Sequence, residues 1–171
     1  ENPAWDLIYA LNTMRDKTGK ILIKDWYKEV RPFTEQELSV IASEPFDVEE
    51  FKKEYGVSKF VADTKGTDIK KALVGMPTCN IAGFNSGYIS EGAKTVLPSQ
   101  ALVKIDFRLV PDMVPEKQLE RLNNHLREHG FSDIEVKVIH GEAAARTPIS
   151  DPFVRQVEQA AKEIFGSAII S

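Results

Sequence analysis

Gln100-Ala101-Leu102-Val103-Lys104-Ile105-Asp106-Phe107-Arg108-Leu109-Val110 is the stretch on which the fold turns. Ala101, Val103, Ile105, Phe107 and Leu109 alternate with a second set that carries Lys104, Asp106 and Arg108. Alternation with a period of two predicts a strand with one face in a core and the other in water. Near its end the strand sets Arg108 among apolar neighbours. A guanidinium is a rigid fork of donors matched to a carboxylate, so Arg108 is a candidate for anion recognition. The plainer alternative is a surface arginine paired with Asp106 across the solvated face.

Upstream, Ser90-Glu91-Gly92-Ala93-Lys94-Thr95-Val96-Leu97-Pro98 is a turn rich in glycine and small polar residues that leads into this strand. Pro77 to Phe84 predicts a second strand, with Asn85-Ser86-Gly87 and Gly92 marking the loop between the two. Downstream, Pro115 opens a helix whose buried stripe is Leu119, Leu122 and Leu126, ended by Gly130. Ile134, Val136 and Val138 then alternate as a further strand. At the other end of the chain, residues 3–15 predict a helix capped by Asn2, with Pro3 at its first position and Leu7, Ile8, Leu11 and Met14 as its stripe. Ile21-Leu22-Ile23 predicts a short strand.

Residues 34–75 read as helical pieces. Thr34-Glu35-Gln36-Glu37 is a capping box. Asp47 caps a second piece that Gly56 stops, and Thr67 caps a third. Residues 152–165 predict a last helix, capped by Ser150 or Asp151. The sum is an α+β fold: a ferredoxin-like two-layer sandwich, its antiparallel sheet covered by helices on one face, with a helical insertion. The first strand of such a split β-α-β unit is missing. The remaining strands are left to pair directly, to recruit a strand from another chain, or to expose an edge.

The chain has 171 residues, 42% hydrophobic and 28% charged, with a net charge of −4 and a pI near 5.5. These values suit a globular domain and argue against nucleic acid or an anionic membrane as the main partner. No apolar run approaches the roughly 20 residues that span a bilayer. The first residues resemble no signal peptide and lack an initiator methionine, as expected for a piece of a longer protein. Cys79, the single cysteine, cannot form an intramolecular disulfide; it is expected to be a buried, inert thiol in a reducing, cytoplasmic setting. His125 and His129 stand four apart on a helix, a spacing able to bind metal, but no third ligand is placed by any motif. A solvated outer face is the favoured reading for the pair.

Asn2-Pro3-Ala4-Trp5, Gly19-Lys20-Ile21-Leu22-Ile23, Asn80-Ile81-Ala82-Gly83-Phe84, Gly92-Ala93-Lys94-Thr95-Val96-Leu97-Pro98 and Phe107-Arg108-Leu109-Val110-Pro111 together resemble one family. It is the co-catalytic zinc metallopeptidases that include carnosinase-like dipeptidases, acetylornithine deacetylase and succinyl-diaminopimelate desuccinylase, with the dipeptidase branch the nearest. The resemblance implies that residues 1–149 are the lid or dimerisation domain, with an insertion at about 20–75. It also implies that residues 150–171 return toward a catalytic domain carrying two zinc ions. The family's His-x-Asp motif, bridging Asp, Glu-Glu pair and distant His have no match here, so no metal or cofactor is expected on this chain. The lid histidine that assists a partner's active site would fall upstream of Glu1, and none of His125, His129 or His140 matches it.

Two positions carry over directly. Arg108 matches the lid arginine that holds the substrate's terminal carboxylate. Thr95 matches a lid threonine that hydrogen-bonds substrate across the dimer interface. Gly92 and Ala93 would admit close backbone approach, and Asn80 and Asn85 would line the cleft. The resemblance thus implies a homodimeric amidohydrolase for dipeptides or N-acyl amino acids, with this portion inactive alone. Two other readings stand beside it: a free-standing ferredoxin-like module that binds an amino-acid effector, and a structural interaction domain in which Arg108 merely pairs with Asp106.

Overall fold

The computed structural model describes residues 2–168. The chain divides into two compact units: the chain up to Val30 with Pro77–Ala144, and Arg31–Met76 with the chain from Ala145 onward.

The first unit begins with α1, Pro3–Met14. The Asn2 side chain accepts from the Ala4 amide at 3.0 Å, and Pro3 occupies the first position, where its missing N–H costs nothing. Leu7, Ala10 and Met14 form the buried face. Two antiparallel strands follow, β1 (Thr78–Ser86) and β2 (Ala101–Arg108), paired from Thr78↔Arg108 to Ser86↔Ala101. A bulge between Ile81 and Gly83 shifts the register by one residue. It puts Cys79, Ile81 and Phe84 on the same face as Phe107, Ile105 and Val103. The helix α5, Pro115–Glu128, completes the unit. Ala10 and Met14 of α1, Cys79 of β1, Leu122 and Leu126 of α5, and Ile21, Ile23 and Trp26 share one core. Ile105 and Phe107 pack on it from β2, and the Trp26 and Phe107 rings lie 4.9 Å apart.

This is the expected α+β arrangement, an antiparallel sheet with helices on one face, but the sheet has two strands among the described residues. Ile21-Leu22-Ile23 forms a single bridge, Ile21 to Arg15, instead of a strand. Its side chains at 21 and 23 are buried as the alternation requires. The chain then turns at once, with Asp25 at a φ of 59° and the Trp26 amide on the Ile23 carbonyl at 3.2 Å. Ile134 and Val136 likewise pack toward the core while Glu135 and Lys137 face water, yet 134–138 joins no ladder. Alternation reports which side of a segment is buried; it does not supply a neighbouring strand.

His125 departs from its expected place on a solvated face. It is 3% exposed and points into the unit. The Thr13 hydroxyl donates to the Ala10 carbonyl at 2.7 Å, so its oxygen receives the Nε2 proton of His125 at 2.9 Å. Burial, and then the His129 ring, tilted against it with centroids 4.0 Å apart, hold the His125 pKa below the ordinary histidine range. Gln118, Leu122, His125 and Leu126 are the buried positions of α5, a stripe wider than its leucines alone.

In the second unit, α2 (Glu35–Ser43) carries the full capping box of Thr34 and Glu37. Asp47 caps α3 (Val48–Tyr55), which Gly56 ends in the left-handed region at a φ of 64°. A 3₁₀ turn at Val61–Asp63 precedes α4, Thr67–Gly75. Thr67 is the first residue of α4 and not its cap; Gly66 takes the cap position without a side-chain bond. The last helix, α6 (Pro152–Phe165), is capped by Asp151. Arg146 draws the later segment onto the earlier one. Its guanidinium lies 3.5 Å from the Glu37 carboxylate, donates to the Val74 carbonyl at 2.7 Å and covers the Phe33 ring.

Candidate functional site

The register of the hairpin decides which candidate residues meet. Thr78 pairs with Arg108 and Asn80 with Asp106, so these four side chains share the face turned away from the core. Asn80 donates through Nδ2 to the Thr78 hydroxyl at 3.3 Å. Arg108 closes β2 with its side chain 82% exposed, and its Nε lies 4.0 Å from an Asp106 carboxylate oxygen. The exposed guanidinium is accessible to an anion from solvent, and its planar fork can hold a carboxylate bidentately. Lys104 stands on the same face, two residues back. The opposite face of the same strands supplies the rigidity: Cys79 and Phe107, immediate neighbours of the polar residues, are held in the core. Burial pushes the Cys79 thiol up to about 11, so it stays protonated and inert at neutral pH.

Thr95 and Gly92 lie elsewhere. Both are exposed in the loop that joins Ser86 to Ala101, at the far end of the hairpin from Arg108. Seven residue steps of extended chain separate Ala101 from Arg108, or ~24 Å at strand rise. The loop is braced at its base, where the Ser86 hydroxyl donates to the Gln100 carbonyl at 3.1 Å. Within it, Tyr88 donates to the Glu91 carbonyl at 2.8 Å, and the Lys94 ammonium sits 5.9 Å above the Tyr88 ring. Gly92 has a φ of 95°, and nothing in this chain lies within 4 Å of where a Cβ would stand. The backbone conformation, not crowding within the chain, is what asks for glycine.

The structure thus brings Asn80 and Arg108 together and assigns Thr95 and Gly92 to the other end of the hairpin. Thr78 was absent from the sequence-based set; counting back by two from Asn80 is the signal that locates it. Among the described residues no group of three or more His, Cys, Asp or Glu side chains is placed to hold a metal ion. What this face offers chemically is an exposed cation in a fixed polar setting, suited to binding an anion.

The sequence profile of the peptidase dimerisation domain matches residues 1–134. The chain belongs to this family. The chain is 28% identical over 169 residues to the Beta-Ala-His dipeptidase of Rattus norvegicus, covering 96% of this chain and 34% of that protein. It is 32% identical over 165 residues to the Cys-Gly metallodipeptidase of Candida albicans, covering 94% of this chain and 33% of that protein. Among solved structures, a metallo-carboxypeptidase from Sulfolobus solfataricus superposes with a TM-score of 0.86 at 36% identity, over 98% of this chain and 43% of that one. The chain therefore spans about a third of the length of the curated relatives it matches.

Proposed function

We propose that this chain is the substrate-clamping and dimer-forming portion of a metal-dependent dipeptidase or aminoacyl amidohydrolase. The full-length protein would hydrolyse an amide bond in a dipeptide or N-acyl amino acid. The observation that carries the reading is Arg108, an exposed guanidinium on a core-anchored strand, at the position that resembles the family's carboxylate clamp. Asn80, on the same face, would help orient the bound carboxylate. Thr95 and Gly92, at the far end of the hairpin, suit a role in the active site of a second subunit, where the Thr95 hydroxyl would hydrogen-bond substrate. One lid would then serve two active sites.

The described residues do not fit a metal centre. The two zinc ions that the family resemblance implies would be held by a catalytic domain toward which the chain from about residue 150 returns. This chain's own share is binding and orientation, so alone it is expected to be inactive. Its single, buried and protonated cysteine suits a reducing, cytoplasmic setting. No helix among the described residues is long and apolar enough to cross a membrane. A stand-alone effector module is the less favoured reading, because the match is to a dimerisation domain and the relatives are far longer.

The test is Arg108→Ala in the full-length enzyme. Loss of a charge-assisted clamp should lower kcat/KM by about 2–4 kcal/mol, roughly 30- to 1000-fold, with Arg108→Lys recovering only part. Unchanged kcat/KM would leave Arg108 as a surface residue paired with Asp106 and remove the reading's main support.

A further inference from the structure

Thr13 of α1 and His125 of α5 form the one hydrogen bond between these two helices among the described residues, at 2.9 Å. Its direction is fixed. The Thr13 hydroxyl gives its proton to the Ala10 carbonyl, so His125 must supply the proton of this bond from Nε2. A neutral His125 does so without carrying a charge. Its ring is buried on the same stripe of α5 as Leu122 and Leu126, which share a core with Ala10 and Met14 of α1.

A second proton on His125 must go to Nδ1, and it would put a cation into that apolar layer. The bond to Thr13 could survive this; the burial of the charge is what becomes costly. His129 adds to the cost. Its Nδ1 donates to the His125 carbonyl at 2.8 Å, which pins its ring against that of His125. A proton taken up by His129 in acid therefore stands beside His125 and opposes a charge there. Glu128 is the one carboxylate that favours the charged form. From α1 comes no counter-charge, since Asp6 lies about two turns before Thr13 and Arg15, past the helix end, is itself a cation. From β1 comes Cys79, a buried and protonated thiol. In the segment after α5, Asp133 and Glu135 are exposed to water.

We propose that His125, with Thr13 and His129, is a pH-sensitive latch that fastens α1 to α5 when neutral and loosens it when protonated. The helix α1 also packs on β2, so the latch fastens the layer behind the strand that carries Arg108. It stands whether or not Arg108 binds substrate. A released His125 takes its proton near the ordinary 6.5, whereas the docked one resists it, first through burial and then through His129. The fastening is therefore complete above about pH 6.5 and is lost progressively as the pH falls below that value.

The experiment is amide exchange of the full-length protein between pH 7.5 and 5.5, each rate corrected for the intrinsic pH dependence of exchange. In the wild type, exchange in α1 and in the last turns of α5 should quicken by up to about tenfold per pH unit below 6.5. The strands β1 and β2, paired to each other, should keep their protection. His125→Gln retains a donor for Thr13 but cannot titrate, and should abolish the acid response. His129→Gln, at an exposed position, should shrink the response without abolishing it. A wild type with no acid response, a His125→Gln variant that keeps it, or a response shared equally by β1 and β2 would overturn the latch. Should His125→Gln fail to fold, His129→Gln decides, and an unchanged response there would overturn it.

Discussion

The two units of this chain are held by different forces. In the first, ten buried residues drawn from α1, the 21–26 segment, β1, the chain beyond β2 and α5 share one core around Trp26 and Met113. Among the described residues of the second, Ile41 and Ile69 are the buried large hydrophobics, and neither α3 nor α6 buries a residue. There the order comes from local polar bonds: a capping box, two aspartate caps and the Arg31–Glu37–Arg146 cluster. The hairpin that carries Arg108 belongs to the unit with the core. A binding face is placed most reproducibly on strands whose other side is fixed by burial.

The sharpest way to break this contrast is Trp26→Ala. The ring is 1% exposed and packs on Phe107, the neighbour of Arg108. Removing it should cost about 3–5 kcal/mol, the range for deletion of a buried aromatic. Urea unfolding should show the lower midpoint. Amide exchange should quicken in β1, β2 and α5 while the capped helices α2 and α3 keep their rates. Equal acceleration in both units would mean that one cooperative core holds the whole chain.

A smaller effect, in the opposite region, is expected from Glu37. Its carboxylate accepts from the Thr34 amide at 2.7 Å, the Thr34 hydroxyl at 2.9 Å and Arg31 at 2.9 Å. The Thr34 backbone bond first, then Arg31, hold its pKa near 2, below the ordinary 4.5. Glu37→Ala should cost about 1.5–3 kcal/mol, leaving Arg31 and Arg146 without their shared counter-charge. A depressed carboxylate binds its proton more readily in the unfolded chain. Its contribution is therefore complete above about pH 4.5 and lost as the pH falls toward 2. Glu29, paired with Arg121 at 2.6 and 2.7 Å and also held near 2, gives the first unit the same acid dependence beside a large core. Exchange measured between pH 5 and 2.5 should therefore show the second unit opening first. Simultaneous opening would remove the distinction.

How much of this was legible follows the same division. Period-two alternation located β2, and caps at Asn2, Thr34, Asp47 and Asp151 located four helices, because each signal is local and chemical. Ile21-Ile23 and Ile134-Val138 had the right side buried but no ladder, since pairing depends on a neighbour that no local pattern encodes. The sequence favours an outward His125 because Arg127 and Glu128 surround it on an amphipathic helix whose leucines define the buried stripe; its bond to Thr13, 112 positions earlier, is invisible in a linear reading. Of the candidate site, Arg108 stood out by its place in the alternation. That Asn80 shares its face, and that Thr95 belongs to the far end, required the register and its bulge.

Asp47→Ala is the finest of these probes, because it tests a helix that has little else. The Asp47 carboxylate accepts from the amides of Glu49 and Glu50 at 2.9 and 3.0 Å, meeting two of the otherwise unpaired donors of α3. Beyond the cap, α3 has the Gly56 terminator and the Phe51 ring, which lies 5.3 Å from Phe46 and 5.8 Å from Phe60. Loss of the cap should cost about 1 kcal/mol. If local bonds hold this region, the whole of that cost should appear as faster exchange within α3, with the midpoint of the hairpin unit unmoved. Asp47→Asn, which keeps the acceptor oxygen, should restore most of the protection and leave only the charge–dipole part missing. A silent Asp47→Ala would instead make the Phe46–Phe51–Phe60 cluster the true support of α3. Small apolar contacts would then do in the second unit what the large core does in the first.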